Sequence, residues 1–226
     1  TLFTVQREGM TRDIVVIPQK IEPLPAIIAK PLPNGYGYIR IRSFVQEGIE
    51  DEFEKAMEQF SQAKGVIIDV RHNPGGRMDA VLTMLNGCLP DKTEVLCLLE
   101  AKGKEERYQT SGGQRYTMPM AVLTDEQSAS AAEIFAGVLQ SQGRALIVGD
   151  TTYGKGVVQK LKTLKDGSGL KYTMAEYRMA DGTVIHEKGV APDVKLTCDG
   201  LPGWAGTELE DIPLQTAVQA LEAQQR

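Results

Sequence analysis

Gly65-Val-Ile-Ile-Asp-Val-Arg-His-Asn-Pro-Gly-Gly76 carries the clearest fold signal in this chain. Its first half, 66–70, is an almost continuous apolar run of the kind that forms a buried strand of a parallel sheet. A Pro-Gly-Gly turn ends that strand, and apolar residues then recur at helical spacing over 78–85. A strand, a tight turn and a helix in this order predict an α/β fold, in which ligands bind beyond the carboxyl ends of the strands.

The glycines of this turn, Gly75 and Gly76, suit a binding role because a residue without Cβ lets backbone N–H groups approach a substrate carbonyl closely. An ordinary strand-to-helix turn uses the same residues, so the pattern by itself leaves both interpretations open. Asp69 and Arg71, at the end of the strand, are predicted to form a structural ion pair.

A second helix start carries a candidate nucleophile. Capping residues up to Ser130 and apolar residues after it predict a helix over 131–142, with Glu133 in its first turn. The free N–H groups of a helix N-terminus favour negative charge beside the Ser130 hydroxyl, and the Ala131 N–H is expected to point where an oxyanion could lie. Serine is also among the commonest helix N-caps, so a purely structural role fits the local pattern equally well.

A candidate base follows Ser130 by 25 residues. After an apolar strand predicted over 145–149, Lys155 stands between two glycines, and a partly alternating strand begins at Gly156. Side chains four apart on a strand share a face, so Lys155 and Gln159 are expected to point into one site. A serine hydroxyl needs a base to take its proton, and a lysine serves only where burial favours its neutral form. A solvated loop lysine is the structural alternative.

Five blocks of the sequence together resemble the peptidase part of the C-terminal processing peptidases, also called tail-specific proteases. These are Ser–Lys serine endopeptidases of the S41 family. The blocks follow the family order and span most of the chain. They are Gly35-Tyr-Gly-Tyr-Ile-Arg-Ile-Arg-Ser-Phe44, the 65–76 stretch, Ser128-Ala-Ser-Ala-Ala-Glu133, Gly154-Lys-Gly-Val-Val-Gln159 and Met179-Ala-Asp-Gly-Thr-Val-Ile-His-Glu-Lys-Gly-Val-Ala-Pro-Asp193.

The resemblance implies a role for each residue of the site. Ser130 would be the nucleophile, Lys155 the general base and Gln159 the residue that orients the lysine. The implied mechanism passes through an acyl-enzyme and needs no metal or other cofactor. The sequence departs from the family pattern at Ala132, where a second serine is common, and at His72, where a small or polar residue is common.

The resemblance also implies an oxyanion hole in which the N–H of Ala131 pairs with that of Gly75 or Gly76. It does not choose between the two glycines.

The implied fold is α/β, with a crotonase/ClpP-like peptidase core over 35–198. Residues 1–22 resemble the closing strands of a PDZ domain, so the chain is similar to a protease that has lost most of that domain. Residues 23–34 are expected to be a stiff Pro-rich connector, and 199–226 a turn followed by a C-terminal helix. Helical periodicity further predicts helices over 52–60 and 213–222.

Composition limits the partners. A net charge of −5 argues against nucleic acid and anionic membrane surfaces as main partners, and no apolar run approaches the ~20 residues of a membrane span. The resemblance implies protein or peptide substrates with apolar C-termini. It also implies an extracytoplasmic location, in the bacterial cell envelope or periplasm. Whether the chain forms a homo-oligomer stays open.

The cysteines and histidines leave fewer signals. Cys88, Cys97 and Cys198 lack metal-ligand spacing and are predicted to be buried free thiols. His72 and His186 allow a Ser-His-Asp triad in principle, although His186 is expected to lie far from the other motifs.

Two further functions stay open on the same fold. One is a catalytically silent binding module, and the other is an acyl-CoA enzyme that uses only an oxyanion hole. Neither has a reason to keep the Ser, Lys and Gln set.

Overall fold

The computed structural model describes residues 1–20, 24–100, 103–196 and 211–225, and it has a mixed α/β fold. Its six-stranded sheet contains, in spatial order, β12 (Val194–Lys195), β9 (Ala145–Gly149), β8 (Met120–Thr124), β5 (Val66–Asp69), β4 (Gly37–Ile41) and β3 (Ile27–Pro31). Neighbouring strands are parallel except β3 and β4, which are antiparallel. Every residue of β4, β5 and β8 is buried, as their apolar runs require.

A four-stranded antiparallel sheet stands beside the first. Its spatial order is β10 (Val157–Thr163), β11 (Gly169–Met179), β6 (Glu94–Glu100) and β7 (Glu105–Gln109). Within this sheet β10 pairs only with β11, so its other edge is free. The register between β10 and β11 shifts between Val158 and Gln159, which marks a β-bulge.

In the described part of the chain, four helices cover the sheets: α1 (Ile49–Gln59), α2 (Met78–Cys88), α3 (Ala131–Ser141) and α4 (Ile212–Gln224). The main core lies among α1, α2, α3, β6 and β11, and its aromatic centre consists of Phe44, Phe53 and Phe135. Helix α4 packs Leu214, Ala217 and Leu221 on the opposite face of the six-stranded sheet. The four helices predicted from the sequence are confirmed, with ends that differ by up to three residues. No helix in the described part of the chain is long and apolar enough to cross a membrane.

A buried ion cluster joins α4 to the sheet. The Arg71 guanidinium lies 2.6 Å from Asp69 Oδ2 and 2.7 Å from Asp211 Oδ2, and Asp211 caps α4. The predicted pair of Asp69 and Arg71 is therefore confirmed as a structural contact. Burial alone would raise the pKa of Asp69, but the neighbouring Arg71 and Arg40 hold it below its usual value.

The expected Pro-rich connector over 23–34 is only partly a connector. Residues Ile27–Pro31 form β3, which pairs along its length with β4 as an edge strand of the sheet. Proline is tolerated on an edge strand because the N–H that it lacks has no partner to lose there. The prolines therefore signalled extended backbone but hid the sheet pairing.

The N-terminal residues form a hairpin of their own. Strands β1 (Leu2–Arg7) and β2 (Met10–Val15) pair antiparallel as a separate two-stranded sheet, and each of their residues is exposed. Strands were expected in this segment, and two are present. The expected C-terminal turn falls at 197–210, outside the described residues.

The cysteine prediction holds in part. Cys88 is buried and free, and burial raises its pKa to about 12. Cys97 is also free but partly exposed, so the expectation of a buried thiol is wrong there, because it lies on the half-covered strand β6. Cys198 lies outside the described residues.

Candidate active site

An open cleft of about 420 Å³ lies where three segments meet: the turn after β5, the start of α3 and the beginning of β10. Its lining includes all six residues singled out from the sequence, namely Gly75, Gly76, Ser130, Ala131, Lys155 and Gln159. Because β5 and β8 are parallel neighbours, their carboxyl ends bring the glycine turn and the serine turn together.

Ser130 occupies a strained turn between β8 and α3. Its backbone has φ 57° and ψ −117°, a conformation that residues other than glycine rarely adopt, and such strain costs about 1–3 kcal/mol. A serine on a sharp strand-to-helix turn projects its hydroxyl away from the backbone, as in the nucleophile elbow of other hydrolases. The helix that begins at Ala131 adds the positive end of its dipole beside that hydroxyl.

The glycine turn approaches the serine turn too closely for any side chain. A Cβ on Gly75 would lie 2.6 Å from the Ala129 carbonyl oxygen and 2.8 Å from both Ser130 Cβ and the Ala131 nitrogen. The Ala129 N–H donates to the Asn73 carbonyl at 2.9 Å and locks the two turns together.

The hydrogen bonds distinguish the two glycines as oxyanion donors. The Gly75 N–H already donates to Asn73 Oδ1 at 2.8 Å. The N–H groups of Gly76 and Ala131 donate to no residue in the described part of the chain, and both residues line the cleft. Of the three N–H groups that the sequence singled out, that of Gly75 thus has an acceptor, and those of Ala131 and Gly76 have none among the described residues.

The Lys155 segment differs from the expected strand geometry. Strand β10 begins only at Val157, so Lys155 precedes the strand and the argument from strand periodicity does not apply to it. Gln159 follows the bulge, which turns its side chain towards the cleft. No hydrogen bond joins Ser130 Oγ to Lys155 Nζ in this structure, so proton transfer between them would require a side-chain movement. Catalytic contacts are commonly loose before substrate binds.

A buried carboxylate links the two halves of the site. Glu133 is fully buried, and its Oε2 accepts the N–H groups of Ser130 at 2.7 Å and Lys155 at 2.8 Å. Its Oε1 accepts the Thr152 hydroxyl at 2.6 Å and the Gly154 N–H at 2.7 Å. The sequence suggested only a dipole contact for Glu133. The Ser-x-x-Glu capping box is the signal that could have predicted its bond to the Ser130 N–H.

Tyr177 joins the same two segments from the other side. Its hydroxyl donates to the Lys155 carbonyl oxygen at 2.6 Å and lies 3.2 Å from the Ser130 carbonyl oxygen. Burial, and then the charge of Glu133, raise the pKa of Tyr177 well above its usual value, so the hydroxyl stays protonated and can donate. No sequence pattern pointed to this residue, because β11 approaches the site only through the fold.

Neither histidine lines the cleft. His72 Nε2 lies 3.3 Å from Asp125 Oδ2, beside the turn. His186 is closer to the site than expected, since a Cβ on Gly156 would lie 2.5 Å from the His186 nitrogen. That close approach explains the glycine after Lys155. In the described residues, no three His, Cys, Asp or Glu side chains are grouped as metal ligands would be.

Comparison with known proteins identifies the family of the chain. Residues 35–196 match the profile described as peptidase family S41. The chain belongs to this family. A curated relative, the carboxy-terminal processing protease CtpB of Bacillus subtilis, is 34% identical over 198 residues. That match covers 85% of this chain and 41% of the relative.

Further relatives carry similar names. A probable CtpA-like serine protease of Staphylococcus aureus is 37% identical over 200 residues, which is 86% of this chain and 39% of the relative. The solved photosystem II D1 C-terminal processing protease superposes with a TM-score of 0.72 at 29% identity, over 85% of this chain and 53% of that protein. The chain thus spans about two fifths of the length of the curated relatives it matches.

Proposed function

We propose that this chain is the catalytic part of a serine endopeptidase that uses Ser130 as nucleophile and Lys155 as general base. The observation that carries the proposal is the meeting of Ser130, Lys155 and Gln159 at one cleft with two unpaired N–H groups. Acyl transfer needs a nucleophilic hydroxyl, a base and two N–H donors for the oxyanion.

In the proposed mechanism, neutral Lys155 takes the Ser130 proton as Oγ attacks the scissile carbonyl. The Ala131 and Gly76 N–H groups stabilise the oxyanion, and protonated Lys155 gives its proton to the leaving amine. Water, activated by the Lys155 amine, then hydrolyses the acyl-enzyme and frees Ser130. Gln159 orients the lysine side chain. Glu133 and Tyr177 hold the backbones of the two catalytic segments at a fixed separation.

The proposal extends to the fold and the substrates. Its core would be of the crotonase/ClpP-like type, and its substrates would be proteins cleaved near C-terminal tails that end in apolar residues. The names of the relatives, which include carboxy-terminal processing proteases, favour that substrate class. The exposed β1–β2 hairpin would be the remnant of a PDZ domain that presents such tails. An extracytoplasmic location belongs to the same proposal.

Turnover of an unfolded protein substrate tests the dyad. Ser130→Ala and Lys155→Ala should each lower kcat by a factor on the order of 10³ or more, and the double variant should be no worse, because the two groups act as one unit. Gln159→Ala should retain more activity. Lys160→Ala is the matched control for Lys155→Ala, since Lys160 is exposed on β10, the strand that follows Lys155, and does not line the cleft.

The same assay separates catalysis from binding. A Lys155→Ala protein that cleaves at the wild-type rate would exclude Lys155 as the base. A wild-type protein that binds unfolded chains but never cleaves them, even after a PDZ domain is restored, would favour the binding-module alternative.

A further inference from the structure

The cleft has an unbalanced charge. Among the described residues that line it, the cations are Lys155 and Lys171, and no Asp or Glu is present. The chain as a whole carries a net charge of −5, so this local excess of positive charge runs against the composition. A cleft lined by one sign of charge raises the local concentration of ligands of the opposite sign.

The strand register determines on which face of the β10–β11 hairpin Lys171 lies. Lys171 on β11 pairs with Leu161 on β10, and Thr173 pairs with Gln159 two residues further along. Residues two apart on a strand share a face, so Lys171 lies on the same face of the hairpin as the cleft-lining Gln159. Lys162 pairs with Leu170 one position away and therefore lies on the opposite face.

Lys171 has no acidic partner of its own. It is exposed, and no carboxylate in the described part of the chain lies within ion-pair distance of it. Some exposed cations are paired, as Lys104 is with Glu100 at 3.0 Å and Arg107 with Glu94 at 2.7 Å, and others such as Lys162 are not; among the described residues, Lys171 is an exposed, unpaired cation that also lines the cleft. An ammonium group at the mouth of a cleft without an internal counter-ion is available to a ligand.

We infer that the Lys171 ammonium group binds a carboxylate of the polypeptide that occupies the cleft. The inference rests on the proposed function only in taking the occupant to be a polypeptide. The carboxylate can belong to an Asp or Glu side chain or to the C-terminus of the bound chain. Lys171 is thus a specificity residue and takes no part in bond cleavage.

Peptide binding by the Ser130→Ala protein tests the inference without turnover. The probes are fluorescein-labelled peptides of equal length, built from Ala, Val and Ser, that carry Glu, Gln or Lys at successive positions. Each is made with a free and with an amidated C-terminus, and binding is followed by fluorescence anisotropy. At one position we expect Glu to bind about three- to tenfold more tightly than Gln, and Lys more weakly, as for an ion pair at a partly open site. If the terminal carboxylate is the ligand, amidation of the peptide C-terminus should instead cause the loss of affinity.

The control variants decide the result. Adding Lys171→Gln should abolish the advantage of the carboxylate, and Lys171→Glu should reverse it in favour of Lys peptides. Lys162→Gln, on the opposite face of the same hairpin, should keep the advantage. An unchanged preference for carboxylate in Lys171→Gln, the absence of any preference in the parent protein, or undetectable binding of every peptide would overturn the inference. A protein that cleaves substrates without charge preference would refute this inference alone, whereas charge-selective binding without cleavage would refute the proposed function alone.

Discussion

Replacing Glu133 by glutamine should weaken the fold at the site by a predictable amount. With the amide oxygen in the Oε2 position, the N–H groups of Ser130 and Lys155 keep their acceptor. The Thr152 hydroxyl can rotate to accept from the new NH₂ group, but the Gly154 N–H then faces another donor. The Gly154 N–H and the rotated Thr152 O–H both lose this acceptor, at about 1–3 kcal/mol for each buried donor, so Glu133→Gln should lower the free energy of unfolding by about 2–6 kcal/mol.

Urea unfolding followed by circular dichroism measures this loss. Glu126→Gln is the matched control, because Glu126 is exposed in the loop that precedes α3 and its replacement should change stability by no more than about 0.5 kcal/mol. Glu133→Ala leaves four donors unpaired. Its cost should approach the whole stability of a domain, about 5–15 kcal/mol, and prevent folding.

Activity gives a second readout of the same change. If Glu133 sets the separation of Ser130 and Lys155, the folded Glu133→Gln protein should have a lower kcat and a nearly unchanged KM for an unfolded protein substrate. A Glu133→Gln protein with the urea midpoint and the kcat of the wild type would refute the role assigned to this carboxylate.

Two further predictions concern ionisable groups outside the cleft. The folded-state pKa of Asp69 is depressed, so its contribution to stability is present above the unfolded pKa of about 3.9 and is lost as the pH falls through the folded value. Asp69→Asn leaves the buried Arg71 short of a counter-ion and should therefore lower the free energy of unfolding by about 3–5 kcal/mol at pH 7. The difference in stability between this variant and the wild type should narrow below about pH 4. Urea unfolding across that pH range measures the difference, and a difference independent of pH would contradict the prediction. Cys88, with its pKa raised to about 12, should resist iodoacetamide at pH 8 in the folded protein, while Cys97 reacts first. Peptide mass spectrometry measures the labelling of each thiol, and equal labelling of the two would contradict the assigned burial.

The elements that the sequence predicted are those with a strong local pattern. The apolar run of β5 and the helical spacing of α2 and α3 depend on residues close together in the chain, and these elements formed where expected. Strand β3 was missed because the prolines around it signal extended backbone without saying whether that backbone joins a sheet.

The parts of the site that the sequence did not predict depend on long-range packing. Ser130 and Lys155 stand in recognisable local patterns, and both line the cleft. Tyr177 and Lys171 reach the site because β11 pairs with β10 in a hairpin that lies beside Ser130. The Asp166-Gly167 turn could have predicted the hairpin, but no local pattern places it beside the serine. The proposal of Gly76 over Gly75 as an oxyanion donor depends on the Asn73 side chain, whose Oδ1 already accepts the Gly75 N–H.

Labelling with a fluorophosphonate tests most directly whether Lys155 activates Ser130. A fluorophosphonate probe reacts with an activated serine hydroxyl, forming an Oγ–phosphorus bond and releasing fluoride. Peptide mass spectrometry of the treated chain should find the phosphonyl group on Ser130 in the wild type and in Lys160→Ala, and almost none on Ser130 in a folded Lys155→Ala protein. Equal labelling of Ser130 with and without Lys155, or labelling of another serine in its place, would contradict the Ser–Lys mechanism.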